Sequence, residues 1–175
     1  TQTPTQTPFP GMIPMRFKVK MDSTGNPFKL GFHAVQTGDF LRIDYGQGEL
    51  LKVDLTTQNQ IVNLPLPKNE TTTVRVYGMV RGFGAKMNGL QMGTQGGQIS
   101  EVISWGNVPL ESLEYAFMRN SELTLVPDEI PSGVKSLKYT FAMCSNFNVN
   151  INQWDVSEVE KFLANIEQTE HLTEE

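Results

Sequence analysis

The sequence is poor in the residues on which most nucleophilic and metal-dependent enzymes rely. Its 175 residues include a single cysteine, Cys144, and two histidines, His33 and His171. One cysteine excludes an internal disulfide, and two histidines are too few for most metal or nucleophile chemistries. There is no run of the roughly 20 apolar residues that a transmembrane helix requires, and the first residues lack the basic start and apolar centre of a signal peptide. We therefore predict no membrane span and no catalytic centre.

The net charge of -5 is unevenly distributed along the chain. Residues 1–100 contain ten Lys/Arg and six Asp/Glu, whereas residues 101–175 contain four and thirteen. An acidic second half disfavours contact with phosphate backbones, and the basic residues of the first half alternate along strands without forming a patch. We therefore do not expect a nucleic acid partner.

Residues 1–14 are a low-complexity segment that reads TQTPTQTPFPGMIP. Proline lacks an amide donor and favours the extended polyproline conformation, which rises about 3.1 Å per residue. We interpret the segment as a stalk or linker, and a terminus without a role is the alternative. The chain does not begin with methionine, which suggests a processed form or a piece of a longer protein.

Residues 15–98 have the pattern of a β-sheet domain. Apolar and basic side chains alternate with period two from Met15 to Met21, which is typical of a half-buried strand. Five more strand candidates follow, separated by Gly, Asn, Asp and Pro, at 28–32, 40–45, 50–55, 60–64 and 72–80. Six short strands at this spacing predict an antiparallel β-sandwich. We expect the glycine-dense segment 82–97 to be a loop, and it lacks the glycine spacing of a phosphate-binding loop.

After residue 100 the sequence repeats about every 25 residues. Ser112-Leu-Glu-Tyr-Ala-Phe117 is matched by Ser136-Leu-Lys-Tyr-Thr-Phe141 and, more loosely, by Lys161-Phe-Leu-Ala-Asn-Ile166. A unit of this size cannot bury its apolar face alone, so units stack and equivalent residues form apolar columns. The predicted structural repeat residues are Trp105, Leu113, Phe117, Leu123, Leu137, Phe141, Phe147, Trp154 and Phe162. A ligand-stacking role for Trp154 or Tyr139 is the less favoured alternative, because repeat positions are usually packing positions.

One repeat unit carries a specific motif. Phe147-Asn148, Ile151 and Trp154-Asp-Val-Ser157 resemble the repeat of the bacterial surface protein, BspA-like, leucine-rich repeat family. The resemblance covers residues 99–172. A weaker match extends it to Met15, since Ile43-Asp-Tyr-Gly-Gln-Gly-Glu49 is similar to the strand and turn of the immunoglobulin/PKD-like sandwich that often precedes these repeats. The resemblance implies a surface-exposed protein that acts in adhesion or assembly.

The other residues that could form a catalytic or metal site lack the sequence context that such a site requires. Cys144 occupies a repeat position where small apolar residues pack, so we expect a buried, inert thiol. Asp128 and Glu129 are adjacent on an extended segment and would point to opposite faces, which disfavours a catalytic carboxylate pair. Neither Asp22–Asn26 nor residues 44–49 has the ligand spacing of a calcium loop, so a calcium site is the less favoured interpretation. We expect no cofactor and no metal.

The sequence therefore predicts a mainly β protein in three parts. These are a stalk or linker at 1–14, an antiparallel β-sandwich at 15–98, and a short leucine-rich-repeat-type solenoid of about three units at 99–175. The predicted function is a non-enzymatic structural or adhesion module, at the cell surface or extracellular, that binds a protein or glycan surface. The alternative is a subunit of a virion or surface appendage, such as a phage fibre, decoration protein or filament component, that contacts copies of itself. A hydrolytic enzyme is disfavoured, because no acid and base stand together in a motif.

Overall fold

A computed structural model describes residues 10–87, 90–91, 96–144 and 149–160. These residues contain strands and turns and no helix. The strands are β1 Met15–Met21, β2 Phe28–His33, β3 Phe40–Asp44, β4 Leu51–Asp54, β5 Asn59–Leu64, β6 Thr71–Met79, β7 Gly82–Phe83, β8 Lys86–Met87, β9 Leu90–Gln91 and β10 Gly97–Ser104. The protein is thus mainly β, as predicted. Within these residues no helix is long and apolar enough to cross a membrane.

The strands form three antiparallel sheets. A five-stranded sheet has the order β10-β1-β6-β3-β4, a three-stranded sheet has the order β5-β2-β7, and β8 pairs with β9. β1 lies between β10 and β6, and its alternating pattern places one face in the core, because Met15, Phe17, Val19 and Met21 are all buried. The two larger sheets share one apolar cluster: the Phe17 ring of β1 lies 6.0 Å from that of Phe83 in β7.

The glycine-dense segment 82–97 is not the continuous loop that its composition predicted. Gly82–Phe83 pairs with the end of β2, and Gly97 begins β10, which pairs with β1 along its length. The loop prediction is wrong at these positions because buried Phe83 and Ile99 anchor the backbone in existing sheets. The boundary predicted between residues 98 and 99 falls inside β10.

Beyond β10 the sequence period is visible in the backbone. Tyr115 and Tyr139, 24 residues apart, both have a left-handed φ, at 60° and 56°. Arg119 and Met143 share this feature, at 62° and 59°. The N–H groups of Leu113, Tyr115, Phe117 and Arg119 donate to the carbonyls of Ser136, Lys138, Thr140 and Ala142, respectively. Equivalent segments of two successive units therefore lie side by side.

The repeat units continue one edge of each large sheet. Parallel bridges join Gly82 of β7 to Ser112, and Ser112 to Ser136. On the other sheet, Glu101 of β10 bridges to Leu125, where the N–H of Val102 donates to the Leu125 carbonyl at 2.8 Å. The first unit therefore covers the backbone of β7 and β10, which would otherwise be exposed edges. β4 and β5 lie at the other ends of the two strand orders.

Candidate functional site

The residues predicted as repeat positions lie in the core. Seven of the nine are buried, namely Trp105, Leu113, Phe117, Leu123, Leu137, Phe141 and Trp154, while Phe147 and Phe162 lie outside the described residues. The ring of Phe117 lies 5.9 Å from Phe83 on one side and 5.7 Å from Phe141 on the other. These rings form a column that joins the sheets to the repeats.

The two tryptophans extend this column at its side. Trp105 lies 6.1 Å from Phe117, Trp154 lies 5.7 Å from Phe141, and the two indoles are 6.4 Å apart, edge to face. Their N–H groups donate to backbone carbonyls, Trp105 to Glu129 at 2.7 Å and Trp154 to Pro127 at 2.9 Å. The ring and the N–H group of each tryptophan thus both make contacts within the protein, which favours a packing role over ligand stacking.

Cys144 is buried, and its thiol donates to the carbonyl of Phe117 at 2.9 Å. Burial raises the pKa of this thiol to about 12, because its effect outweighs that of the backbone hydrogen bonds, which lower the pKa. A thiol in this state is protonated at neutral pH and is a poor nucleophile. Among the described residues there is no group of three or more His, Cys, Asp or Glu side chains that could hold a metal ion.

His33 joins the end of β2 to the first repeat. Its Nδ1 lies 2.5 Å from the Gly84 carbonyl, and its Nε2 lies 2.7 Å from Ser112 Oγ. Because a carbonyl can only accept, Nδ1 carries the proton and Nε2 accepts from the Ser112 hydroxyl. Burial lowers the pKa of His33, and the Gly84 hydrogen bond and the Glu114 charge only partly offset this effect. The imidazole is therefore neutral at pH 7.

The Ser112–His33 pair has the geometry of a nucleophile and its base, but its surroundings are structural. The N–H of Ser112 donates to the Arg81 carbonyl, that of Leu113 to the Ser136 carbonyl, and that of Glu114 to Ser112 Oγ itself. Acyl transfer requires free donors aimed at the developing oxyanion, and these three neighbouring donors are already engaged. The pair is therefore best described as a joint between β2 and the repeats.

A cleft of about 740 Å³ lies between two loops of the sheet region. One wall is the β2–β3 loop and the other is the β4–β5 loop; the lining residues are Val35, Gln36, Thr37, Gly38, Asp39, Asp54, Leu55, Thr56, Thr57 and Gln58. Its volume falls within the roughly 300–1,000 Å³ typical of small-molecule sites. Binding residues are commonly found on loops that a rigid scaffold positions, and this cleft is our candidate site.

Hydrogen bonds hold the two walls together. The N–H of Leu55 donates to the carbonyl of Asp39 at 3.0 Å, which links the loops at the cleft floor. The buried Asp39 carboxylate accepts from Arg81 Nη1 through one oxygen and from the N–H of Gln36 through the other, both at 2.8 Å. The Gln60 side chain accepts from the N–H of Thr56 at 2.8 Å. The walls are thus shaped by internal bonds, which lowers the entropic cost of binding.

The cleft combines polar side chains at its rim with an apolar floor. Val35 and Leu55 are buried, whereas the uncharged side chains that line the rim are exposed: Gln36, Thr37, Thr56, Thr57 and Gln58. Asp54 is also exposed, and none of the lining residues is basic. Sequence reasoning missed this site. The only local signal is a pair of short polar segments, 36–39 and 54–58, and nothing in the sequence shows that they face each other.

No family model, curated protein or solved structure matches this chain. The resemblance to BspA-like repeats therefore depends on the motif residues alone. Ile151 and Trp154 of that motif are buried, and Asp155 Oδ1 accepts from the N–H of Ser157 at 3.0 Å, whereas Phe147 and Asn148 lie outside the described residues. Hydrogen bonds from Ser157 lower the pKa of Asp155.

Proposed function

We propose that this chain is a non-enzymatic, surface-exposed structural or adhesion module that holds a protein or glycan partner in the cleft. Its fold in this proposal is an antiparallel β-sandwich followed by a short BspA-like, leucine-rich-repeat-type solenoid. Two observations support that fold: the two large sheets share a core, and residues 24 apart are joined by parallel bridges. Residues 1–14 serve as the stalk, and Gly11 and Ile13 at its base are hydrogen-bonded to Asn107.

The cleft between the two loops is the observation that carries the proposal. It combines a ligand-sized volume of about 740 Å³ with walls fixed by the Asp39–Leu55 and Gln60–Thr56 hydrogen bonds. The reactive residue types are engaged elsewhere, with Cys144 in the core and His33 in the joint. Preformed polar walls without an activated nucleophile suit binding better than catalysis.

The test is a binding screen of the intact chain on immobilised glycans and extracellular matrix proteins. Thr37→Trp places a bulky ring on the exposed cleft wall, and Ser23→Trp places one at an exposed position of the Asp22–Asn26 turn, outside the cleft. We expect the parent and Ser23→Trp to bind one surface equally, and Thr37→Trp to bind it at least tenfold more weakly. Binding that Thr37→Trp leaves unchanged would contradict the assignment of the cleft.

The alternative is a subunit of a virion or surface appendage. One observation favours it: the segment before β1 is held by Asn107, whose side chain donates to the Gly11 carbonyl and accepts from the N–H of Ile13, both at 2.8 Å. A segment anchored at its root can project into a neighbouring copy. Light scattering of the chain with and without residues 1–9 separates the two ideas, because only an assembly subunit would form oligomers that trimming abolishes.

A further inference from the structure

The charge of the cleft restricts its ligand further. Of the two lining carboxylates, that of Asp39 is occupied by Arg81 and by the N–H of Gln36. The carboxylate that faces a ligand is therefore the exposed Asp54. None of the lining side chains is cationic. The Asp54 carboxylate would repel a sulfate, phosphate or carboxylate in this cleft, and no basic side chain lines the cleft to offset that repulsion.

The hydrogen-bonding groups of the rim suit hydroxyl groups. Amide and hydroxyl side chains, such as those of Gln36, Thr37, Thr56 and Gln58, each offer both a donor and an acceptor. Thr57 Oγ1 already donates to the Asn59 carbonyl at 3.0 Å, so it presents lone pairs to a ligand. A sugar hydroxyl also donates and accepts, and Asp54 can accept from two adjacent hydroxyls. The polar groups of the cleft thus match a polyol.

The floor argues against a peptide as the ligand. Peptide and protein partners gain most of their affinity from aromatic or Arg anchors in deep apolar pockets. Here the floor consists of two buried aliphatic side chains, Val35 and Leu55, and the lining residues include no aromatic ring. Such a floor offers a small apolar contact, which fits the C–H groups on one face of a sugar ring.

We propose that the cleft binds a neutral saccharide and discriminates against acidic ones through the Asp54 carboxylate. This inference rests on the proposed function, since it assigns a ligand class to the same cleft. Asp54 has two roles, as the acceptor for a pair of ligand hydroxyls and as the negative charge that repels anionic sugars.

The experiment is an NMR titration of the intact ¹⁵N-labelled chain with neutral disaccharides (lactose, maltose and mannobiose) and with sialyllactose. We expect at least one neutral disaccharide to shift the amides of Gly38 and Thr57, and sialyllactose to bind at least tenfold more weakly than lactose. Asp54→Asn removes the repulsion but keeps an acceptor, so sialyllactose should then bind within about threefold of lactose. Asp128→Asn removes the same charge from an exposed site outside the cleft and should preserve the parent's selectivity.

The outcomes separate this inference from the proposed function. Equal binding of lactose and sialyllactose by the parent would overturn the inference, as would equal effects of Asp54→Asn and Asp128→Asn. A protein partner sensitive to Thr37→Trp, in the absence of any response to neutral disaccharides, would overturn the saccharide assignment and leave the adhesion module intact. A chain that binds neither class would overturn both.

Discussion

Phe117 stacks on Phe141 with ring centroids 5.7 Å apart and planes 18° apart, although 24 residues separate them in sequence. The opposite neighbour of Phe117 is Phe83 of β7, at 5.9 Å. One aromatic column therefore runs from the sheets into both units. The core of the sheets thus covers one end of this column. The stability of the repeats should thus depend on contacts along the column.

Trp154→Ala tests the repeat end of this column. Trp154 contacts Phe141 and Trp105, and truncation of a large buried aromatic side chain costs about 3–5 kcal/mol. We expect a loss of that size in the free energy of unfolding, measured by urea denaturation followed by circular dichroism. Met143→Ala is the control, because Met143 is half exposed and its truncation should cost less than about 0.5 kcal/mol. A Trp154→Ala chain that melts like the parent would refute the column.

Gly84→Ala tests the contact between the sheets and the first unit. Gly84 has a φ of +114°, and a Cβ there would overlap the carbonyl of Glu114 and the backbone of Ala116. Gly46 also has a positive φ, at +91°, but its Cβ would meet open space. Gly46→Ala should therefore cost only the conformational penalty of about 1–2 kcal/mol, whereas Gly84→Ala should cost about 1–3 kcal/mol more. Equal losses in urea denaturation would show that the first unit does not press on Gly84.

Cys144 should resist alkylation while the protein is folded. With a pKa of about 12, raised by burial, only about one thiol in ten thousand is ionised at pH 8. We expect iodoacetamide to label the native chain at least 100-fold more slowly than the chain in guanidinium. Met143→Cys in a Cys144→Ser background places a thiol at a half-exposed site and should react at the rate of the unfolded chain. Rapid labelling of native Cys144 would contradict its place in the core.

The strands and the repeat were predictable because both depend on local patterns. Alternation in β1 and the match of Tyr115 to Tyr139 are visible in the sequence alone. β10 was harder to predict, because register shifts between Arg16 and Phe17 and between Lys18 and Val19 break the strict pairing of β1 with β10. Such bulges interrupt the two-residue period that identifies a strand.

The cleft was not predictable, because it depends on how distant segments pack. Residues 36–39 and 54–58 read as two ordinary polar turns. They become neighbours because β2 and β3 belong to different sheets, as do β4 and β5, so that each loop crosses from one sheet to the other. The hydrogen bond from Leu55 to Asp39 then fixes their separation. No sequence pattern encodes this pairing.

His33 should make stability depend on pH. Its ordinary pKa of 6.5 applies to the unfolded chain, and burial in the joint lowers the pKa of the folded state. Below about pH 6.5 the unfolded chain therefore binds more protons than the folded one, and the free energy of unfolding falls until the folded pKa is reached. Above pH 6.5 this contribution is fully present. We expect the urea midpoint to fall between about pH 7 and pH 5, before most carboxylates titrate.

The variant His33→Gln separates this effect from that of the charged residues that line a shallow groove beside His33, namely Glu111, Glu114, Lys135 and Glu160. Glutamine can still donate to the Gly84 carbonyl and accept from Ser112, but it does not titrate, so its urea midpoint should be flat over the same pH range. A His33→Gln chain with the parent's slope would assign the pH dependence to the carboxylates. NMR titration of the His33 ring gives an independent check, since a folded pKa at or above 6.5 would contradict its burial in the joint.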